Sequence, residues 1–332
     1  MPKRRIVDLR EIPLLDVASY GRRGPGHRPL SKSDIAHVSR TVRRVPEVMV
    51  KISGGARTPR GVAQHLDYIG REGRGEVQTD DGERLQDRGF EKALLENWDL
   101  DIEAHRRHTE RGIGAGRKPP KLVHNVVFSM PKGTSPDKVL RAVEVFAREK
   151  FALKHRYAMA LHVDQGHPHV HMVIKVVSEQ GRRLYIRPHT LREWRRDFAQ
   201  HLRDLGVAAN ATERAVRGES RTTKRDGIHR AMLRGDSTHM RARADGVARE
   251  LANGGLRPEP GKELLLETRR AVVDGWRGLA DLLEKDGNSQ LAAMVRQFAK
   301  ALPQPLTEKE RIAREIGARL VAQRQREQAL TR

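Results

Sequence analysis

The stretch Tyr157-Ala-Met-Ala-Leu-His162-Val-Asp-Gln-Gly-His-Pro-His-Val-His171-Met-Val-Ile174 decides how this chain folds. Two strand-forming runs, Tyr157–Leu161 and His169–Ile174, flank Gln165-Gly-His-Pro168, which has the composition of a turn. Four of the fifteen histidines fall between His162 and His171, with Asp164 among them. Strand side chains alternate faces, so His169 and His171 point the same way. If the turn reverses the chain, His162 returns beside them. Three imidazoles then converge as a divalent metal requires. A lone histidine on an apolar face is an ordinary core residue. A metal alone names no reaction, since zinc hydrolases and non-haem iron oxygenases also gather histidines.

Outward from that pair, strand and helix patterns alternate. Glu47–Ser53 reads as a first strand, Val62–Ile69 as a helix, and Glu76–Gly82 as a short strand and turn. Phe90–Arg107 reads as a helix containing Ile102, Lys121–Ser129 as a strong strand, and Asp137–Lys150 as a helix. Leu184–Arg187 is expected as one more strand and Thr190–Leu205 as a helix. The fold class is α+β: an antiparallel-rich central sheet covered by helices, followed by a basic, mostly helical C-terminal region. The expected division is a flexible basic arm at 1–45, a sheet domain at 46–218, a polar basic linker at 219–258 and a helical region at 259–332. The arm is read from Gly21-Arg-Arg-Gly-Pro-Gly-His-Arg-Pro29.

Composition narrows the partner. The 332 residues carry a net charge of +22, which calls for a polyanion: nucleic acid or an anionic membrane surface. No apolar run reaches membrane-spanning length, and Met1-Pro-Lys-Arg-Arg-Ile lacks the apolar core of a signal peptide, so membrane insertion is not expected. Nucleic acid is the better reading. The absence of cysteine excludes a thiolate nucleophile and a Cys-ligated zinc, and fits a reducing cytoplasm.

A second constellation surrounds Tyr68, in Gln64-His-Leu-Asp-Tyr-Ile-Gly-Arg-Glu-Gly73. Gly54-Gly55 allow close approach of backbone to a phosphate, and Arg57, Arg60 and Arg71 can hold anionic oxygens. Taken locally, this is also what an amphipathic helix with a half-buried tyrosine looks like. Together with a metal the pattern reads differently. A phenol can attack phosphorus and leave a covalent phosphotyrosine, while a metal offsets charge on the phosphodiester.

Three segments, in order, resemble the relaxase (mobilisation nuclease) family of the His-hydrophobic-His endonuclease superfamily. The closest likeness is to the P-type mobilisation relaxases, the group that includes the T-DNA border endonuclease. They are Leu66-Asp-Tyr-Ile-Gly-Arg-Glu-Gly73, Ser129-Met-Pro-Lys-Gly-Thr-Ser135, and His162 through His171. Arg214-Ala-Val-Arg-Gly218 resembles a segment that follows the family's core, and the likeness covers about 47–218. It implies an enzyme that nicks one DNA strand at an origin of transfer, remains bound through a 5′-phosphotyrosine, and rejoins the ends after transfer. The implied partners are single-stranded origin DNA, an accessory DNA-binding protein, a type IV coupling protein and its secretion system. The implied setting is a bacterial cytoplasm, with translocation to a recipient.

Carried over by residue, Tyr68 is the nucleophile, with Tyr20 next in line. His162, His169 and His171 are the metal ligands, with Mg2+ or Mn2+ as the ion. Asp164 would orient a ligand histidine or accept the tyrosine proton. His167 is either a base or a turn residue. Ser129, Thr134 and Ser135 either hold DNA or serve as strand end and helix cap. Alternatives are a rolling-circle initiator or single-strand transposase of the same superfamily, a plain metallohydrolase, and a non-catalytic DNA-binding accessory protein. Arg324, Arg326 and Arg332 are candidates for a basic translocation signal.

Overall fold

The computed structural model describes residues 17, 30–100, 119–164, 166–219, 228, 231–232 and 234–330. Along the chain run α1 (Lys32–Val42), β1 (Met49–Gly54), α2 (Pro59–Ile69), β2 (Val77–Thr79), β3 (Arg84–Leu85) and α3 (Phe90–Asn97). There follow β4 (Val123–Ser129), α4 (Pro136–Phe151), β5 (Tyr157–His162), β6 (His169–Lys175) and α5 (Pro188–Asp204). Further along are the helices α6 (Thr238–Ala252), α7 (Lys262–Lys285), α8 (Ser289–Ala301) and α9 (Glu308–Leu330). None is long and apolar enough to cross a membrane.

The chain forms two compact units, and residues 43–211 make the one that holds the sheet. Its six strands lie in the order β1-β4-β6-β5-β2-β3, with every neighbour antiparallel, as the α+β reading expects. The strongest apolar strands, β4 and β6, take the centre because both faces of the sheet are covered there. On one face α4 and α5 bury Val126, Phe128, Val170, Met172 and Ile174 under Phe146, Trp194 and Phe198. On the other, α2 and α3 bury Val123, Ala158, Ala160 and Val173 under Leu66, Ile69, Phe90 and Trp98. His169 and His171 share the second face with Val173. One strand therefore changes from alkyl to imidazole along a single side.

The other unit comprises residues 1–42 and 212–332. Its core is the α7–α8 pair, where Trp276, Leu279 and Leu283 meet Val295 and Phe298, joined by Val38 of α1. The Trp276 indole N–H donates to the Val216 carbonyl at 2.9 Å. Helix α9 is tied to α6 by Lys309–Glu250 at 2.8 Å and Arg243–Glu308 at 3.1 Å.

Local expectations differ from the structure in four places. The helix expected over Phe90–Arg107 ends at Asn97, because Asp99 turns left-handed (φ 50°). Lys32–Val42, inside the expected flexible arm, is a helix. Ser31 Oγ accepts from the Asp34 N–H, and the Asp34 carboxylate accepts from the Ser31 N–H, both at 3.1 Å, a reciprocal cap at the helix start. Ile35, Val38 and Val42 then form an apolar stripe facing the α7–α8 core. Thr238–Ala252, inside the expected linker, is also a helix, capped by Ser237 Oγ accepting from the Met240 N–H at 3.3 Å. Leu184–Arg187 is extended but joins no strand of the sheet: the nearby pairing is an isolated Val177–Arg183 bridge. Leu184 and Ile186 reach the core from this loop, and Arg187 already caps α5. Tyr20, the 21–29 segment, Ile102, Gln165 and Arg332 lie outside the described residues.

Phe128 is fully buried, with ring centroids 4.9 Å from Phe146 and 5.3 Å from Phe198. Phe128→Ala is expected to lower stability by ~3–5 kcal/mol. Urea denaturation followed by circular dichroism checks this; a loss below 1 kcal/mol would contradict the assignment of this cluster as the main core.

Candidate active site

The helix that carries the tyrosine is built by simple local rules. Thr58 Oγ1 accepts from the Gly61 N–H at 3.2 Å, and Pro59 opens the first turn, where its missing N–H is harmless. Val62, Leu66 and Ile69 recur at i, i+4 and i+7 and bury against the sheet. His65 and Tyr68 fall on a neighbouring stripe, three residues apart. Gly70 ends the helix. A Cβ there would meet Phe90 ring carbons at 2.6 and 2.8 Å, so only glycine fits. Arg71 (φ 52°) and Glu72 (φ 58°) then turn left-handed, at about 1–2 kcal/mol each. The reversal brings the Arg71 guanidinium to Asp164, 2.8 Å away.

One hydrogen bond locks this helix end to the histidines. His162 Nε2 lies 2.8 Å from the Ile69 carbonyl oxygen. A carbonyl only accepts, so Nε2 carries the proton and Nδ1 keeps its lone pair. Ile69 offers one of the last-turn carbonyls that a helix leaves without an internal partner. Likewise His169 Nδ1–H donates to the His167 carbonyl at 3.2 Å, leaving Nε2 as acceptor. The register pairs His162 with His169 and Ala160 with His171, so the three rings stand on one face, centroids 4.7, 5.1 and 5.4 Å apart. Each offers a ligand atom, and these atoms lie within 4.8 Å of one another.

The electrostatics suit a metal. Burial first, then neighbouring imidazoles and Lys51, pushes His171 down to about 3. Burial is also the main cause lowering His162 and His169. All three are therefore neutral near pH 7, the protonation state a ligand needs. His171 Nδ1 is buried without a hydrogen-bond partner among the described residues, a cost that a bound cation would remove. A cluster of neutral imidazoles, two of them oriented by backbone carbonyls, fits a divalent ion. The Tyr68 ring stands 5.7 Å from His171 at 87° and 6.2 Å from His162 at 65°, and is 54% exposed. An exposed phenol thus borders two of the three clustered imidazoles.

Residues 68–206 match the family described as relaxase, MobA/VirD2-like, nuclease domain. That stretch is therefore similar to MobA/VirD2-like relaxase nuclease domains. The chain is also similar to the T-DNA border endonuclease VirD2 of Rhizobium radiobacter, 26% identical over 193 residues, which are 52% of this chain and 43% of that protein. The VirD2 of Agrobacterium fabrum is 27% identical over 188 residues, 52% of this chain and 41% of its own. The chain thus spans less than half the length of these relatives.

Within the sheet unit the other expected site residues separate into groups. Ser129 is brought to the histidines, paired across the sheet with His169. With His167, Met49 and Lys132 it lines an open pocket of about 520 Å³. Thr134 and Ser135 instead close the turn into α4. Thr134 Oγ1 donates to the Pro131 carbonyl at 2.9 Å, and Ser135 caps the helix through its backbone alone. Arg57 and Arg60 stand at the start of α2, its far end from Tyr68. Asp164 pairs with Arg71. Desolvation would raise its pKa, but the Arg71 charge and the hydrogen bonds outweigh this and hold it below the usual carboxylate range.

Gly55 serves a different purpose from the expected approach to phosphate. A Cβ there would meet the Val123 carbonyl oxygen at 2.5 Å and the Lys121 ammonium at 3.0 Å, and Lys121 Nζ donates to the Gly54 carbonyl at 2.9 Å. The glycine leaves room for the protein's own lysine. Sequence reasoning also passed over His65. Its ring stacks on Tyr68 at 5.7 Å and 22°, and its Nε2 is buried without a hydrogen-bond partner among the described residues. Burial lowers its pKa. The signal was the three-residue spacing from Tyr68, which places two side chains on one helical stripe.

Titration calorimetry of the full chain with Mn2+ should show one site. His171→Ala should weaken it by more than the ~10–100-fold that loss of an outer-shell partner costs. Equal affinity in the variant would remove His171 from the ligand set.

Proposed function

We propose that this protein cuts and rejoins one strand of DNA through a covalent tyrosine adduct. The observation that carries the reading is the exposed Tyr68 ring set edge-on against the imidazoles of His162 and His171. Tyr68 Oη attacks the phosphorus of a single strand. The new Tyr–O–P bond forms as the P–O3′ bond breaks. The 3′-oxygen takes up a proton, and the phenol's proton passes to solvent, to which Tyr68 is open. The adduct keeps the phosphodiester's energy, so the free 3′-hydroxyl can reverse the step and reseal the strand.

His162, His169 and His171 would hold the divalent ion, Mg2+ or Mn2+, which when bound supplies positive charge at the non-bridging phosphate oxygens. Arg71, fixed by Asp164, brings a second positive charge whose influence reaches His162. Asp164 is therefore assigned to positioning Arg71: a carboxylate held below its usual pKa is a poor proton acceptor. His167 fixes the His169 tautomer through its carbonyl, and with Ser129 it lines the pocket in which the strand continues. Arg57 and Arg60 add phosphate contacts farther along.

The resemblance extends the proposal to biology. The substrate is single-stranded DNA at an origin of transfer, and the setting is a bacterial cytoplasm. The partners are an accessory DNA-binding protein, a type IV coupling protein and its secretion channel, through which protein and DNA pass to a recipient.

The test uses a labelled single strand carrying the protein's own origin, with Mn2+, resolved on a denaturing gel. Wild type should yield a denaturant-resistant adduct and Tyr68→Phe none; an adduct of equal yield from Tyr68→Phe would discard this nucleophile. His169→Ala should reduce cleavage by at least 100-fold while DNA affinity, set by the basic surface, changes less than threefold. Hydrolytic cleavage without adduct would point to a plain metallohydrolase instead.

A further inference from the structure

At the end of the sheet away from the histidines, several cations gather around one loop. Arg57 Nη1 donates to the Pro119 carbonyl, Lys121 Nζ to the Gly54 carbonyl at 2.9 Å, and Arg183 Nη2 to the Lys121 carbonyl at 3.3 Å. These groups feel one another. Burial first, then the charge of Arg57, lowers Lys121. Burial, with Lys121 and Arg183 among the lesser causes, lowers His124 to about 4. Gly55 is part of the construction, because a side chain there would displace the Lys121 ammonium.

An aromatic ring completes the patch. Leu184 N–H donates to the Val176 carbonyl, and Val176 N–H to the Leu122 carbonyl, both at 2.8 Å, which lays the 183–186 segment beside Lys121. Leu184 and Ile186 turn inward to the core. In an extended chain Arg183 and Tyr185 then share the outward side. Tyr185 is 69% exposed, an unusual position for one of only four tyrosines. Large exposed rings among cations are how proteins seat unpaired bases.

We infer that Arg57, Lys121, Arg183 and Tyr185 form a second seat for single-stranded DNA, in which the cations take backbone phosphates and Tyr185 stacks a base. This rests on the reading of the domain as a DNA-cutting enzyme and extends it. Helix α2 joins the two seats: its eleven residues span roughly 16 Å from the patch to Tyr68. A strand of more than a few nucleotides reaches both.

The experiment measures binding of fluorescein-labelled (dT)24 to the full chain by anisotropy over a range of salt. Tyr185→Ala should bind at least fivefold more weakly, and Tyr185→Phe should retain wild-type affinity, because stacking needs the ring and not the hydroxyl. Lys121→Gln/Arg183→Gln should lower the magnitude of the slope of log K against log salt by roughly 1.4, two phosphate contacts at about 0.7 each. Since Tyr185 is largely exposed, its variants test the patch without threatening the fold. Wild-type affinity in Tyr185→Ala together with an unchanged salt slope in the double variant would overturn the second seat and leave the nicking site untouched. Failure of wild type itself to bind (dT)24 would overturn both.

Discussion

The hydrogen bond from His162 Nε2 to the Ile69 carbonyl is the constraint on which the site depends. It joins the end of β5 to the last turn of α2, elements separated by 93 positions in the chain. It also selects the His162 tautomer and sets the tyrosine-bearing helix against the histidine strands. Tyr68 precedes Ile69 by one residue, so the position of the phenol follows from where that carbonyl is held. Glycine at position 70 is part of the same arrangement, because Phe90 occupies the space where a side chain would stand. The left-handed turn at Arg71 and Glu72 is strain placed beside the histidines, and it brings a guanidinium to Asp164, near enough for its charge to act on His162.

The sheet supplies the rest. A central strand covered on both faces must be apolar on both, and β6 obeys this from Val170 to Ile174 except where His169 and His171 interrupt one face. The same covering that stabilises the core desolvates those imidazoles and keeps them neutral. Burial costs a neutral histidine little if its nitrogens find partners. The His167 and Ile69 carbonyls provide two, and a metal would provide the rest. Packing and ligand chemistry are thus met by one arrangement of strands.

Much of this was legible in the chain. Short apolar, strand-forming runs marked β1, β4, β5 and β6, and the histidine spacing marked one shared face, because both signals are local. What failed was also local in origin. Leu184–Arg187 alternates like a strand, yet its inward residues are satisfied by packing and no neighbour completes a ladder. Lys32–Val42 was hidden within a basic, glycine-rich segment whose composition outweighed a short apolar stripe and the Ser31–Asp34 cap. His65 was overlooked because its role depends on what faces the helix, which spacing on one element cannot reveal. Asp164 looked like a partner of the histidines, and its charge does act on His162, but the turn after α2 also gives it a guanidinium that sequence reasoning did not pair with it.

The chain by itself determined the α+β sheet, two histidines on one strand face with a third beyond a turn, and a tyrosine at a helix end between cations, since each follows from residue type and period. Only the tertiary structure decided that the tyrosine meets the histidines, that Arg57 and Arg60 lie a helix length from it, and that Gly55 houses Lys121. Those are contacts between residues far apart in sequence. They depend on register, helix placement and the volume of buried neighbours, which no local pattern encodes.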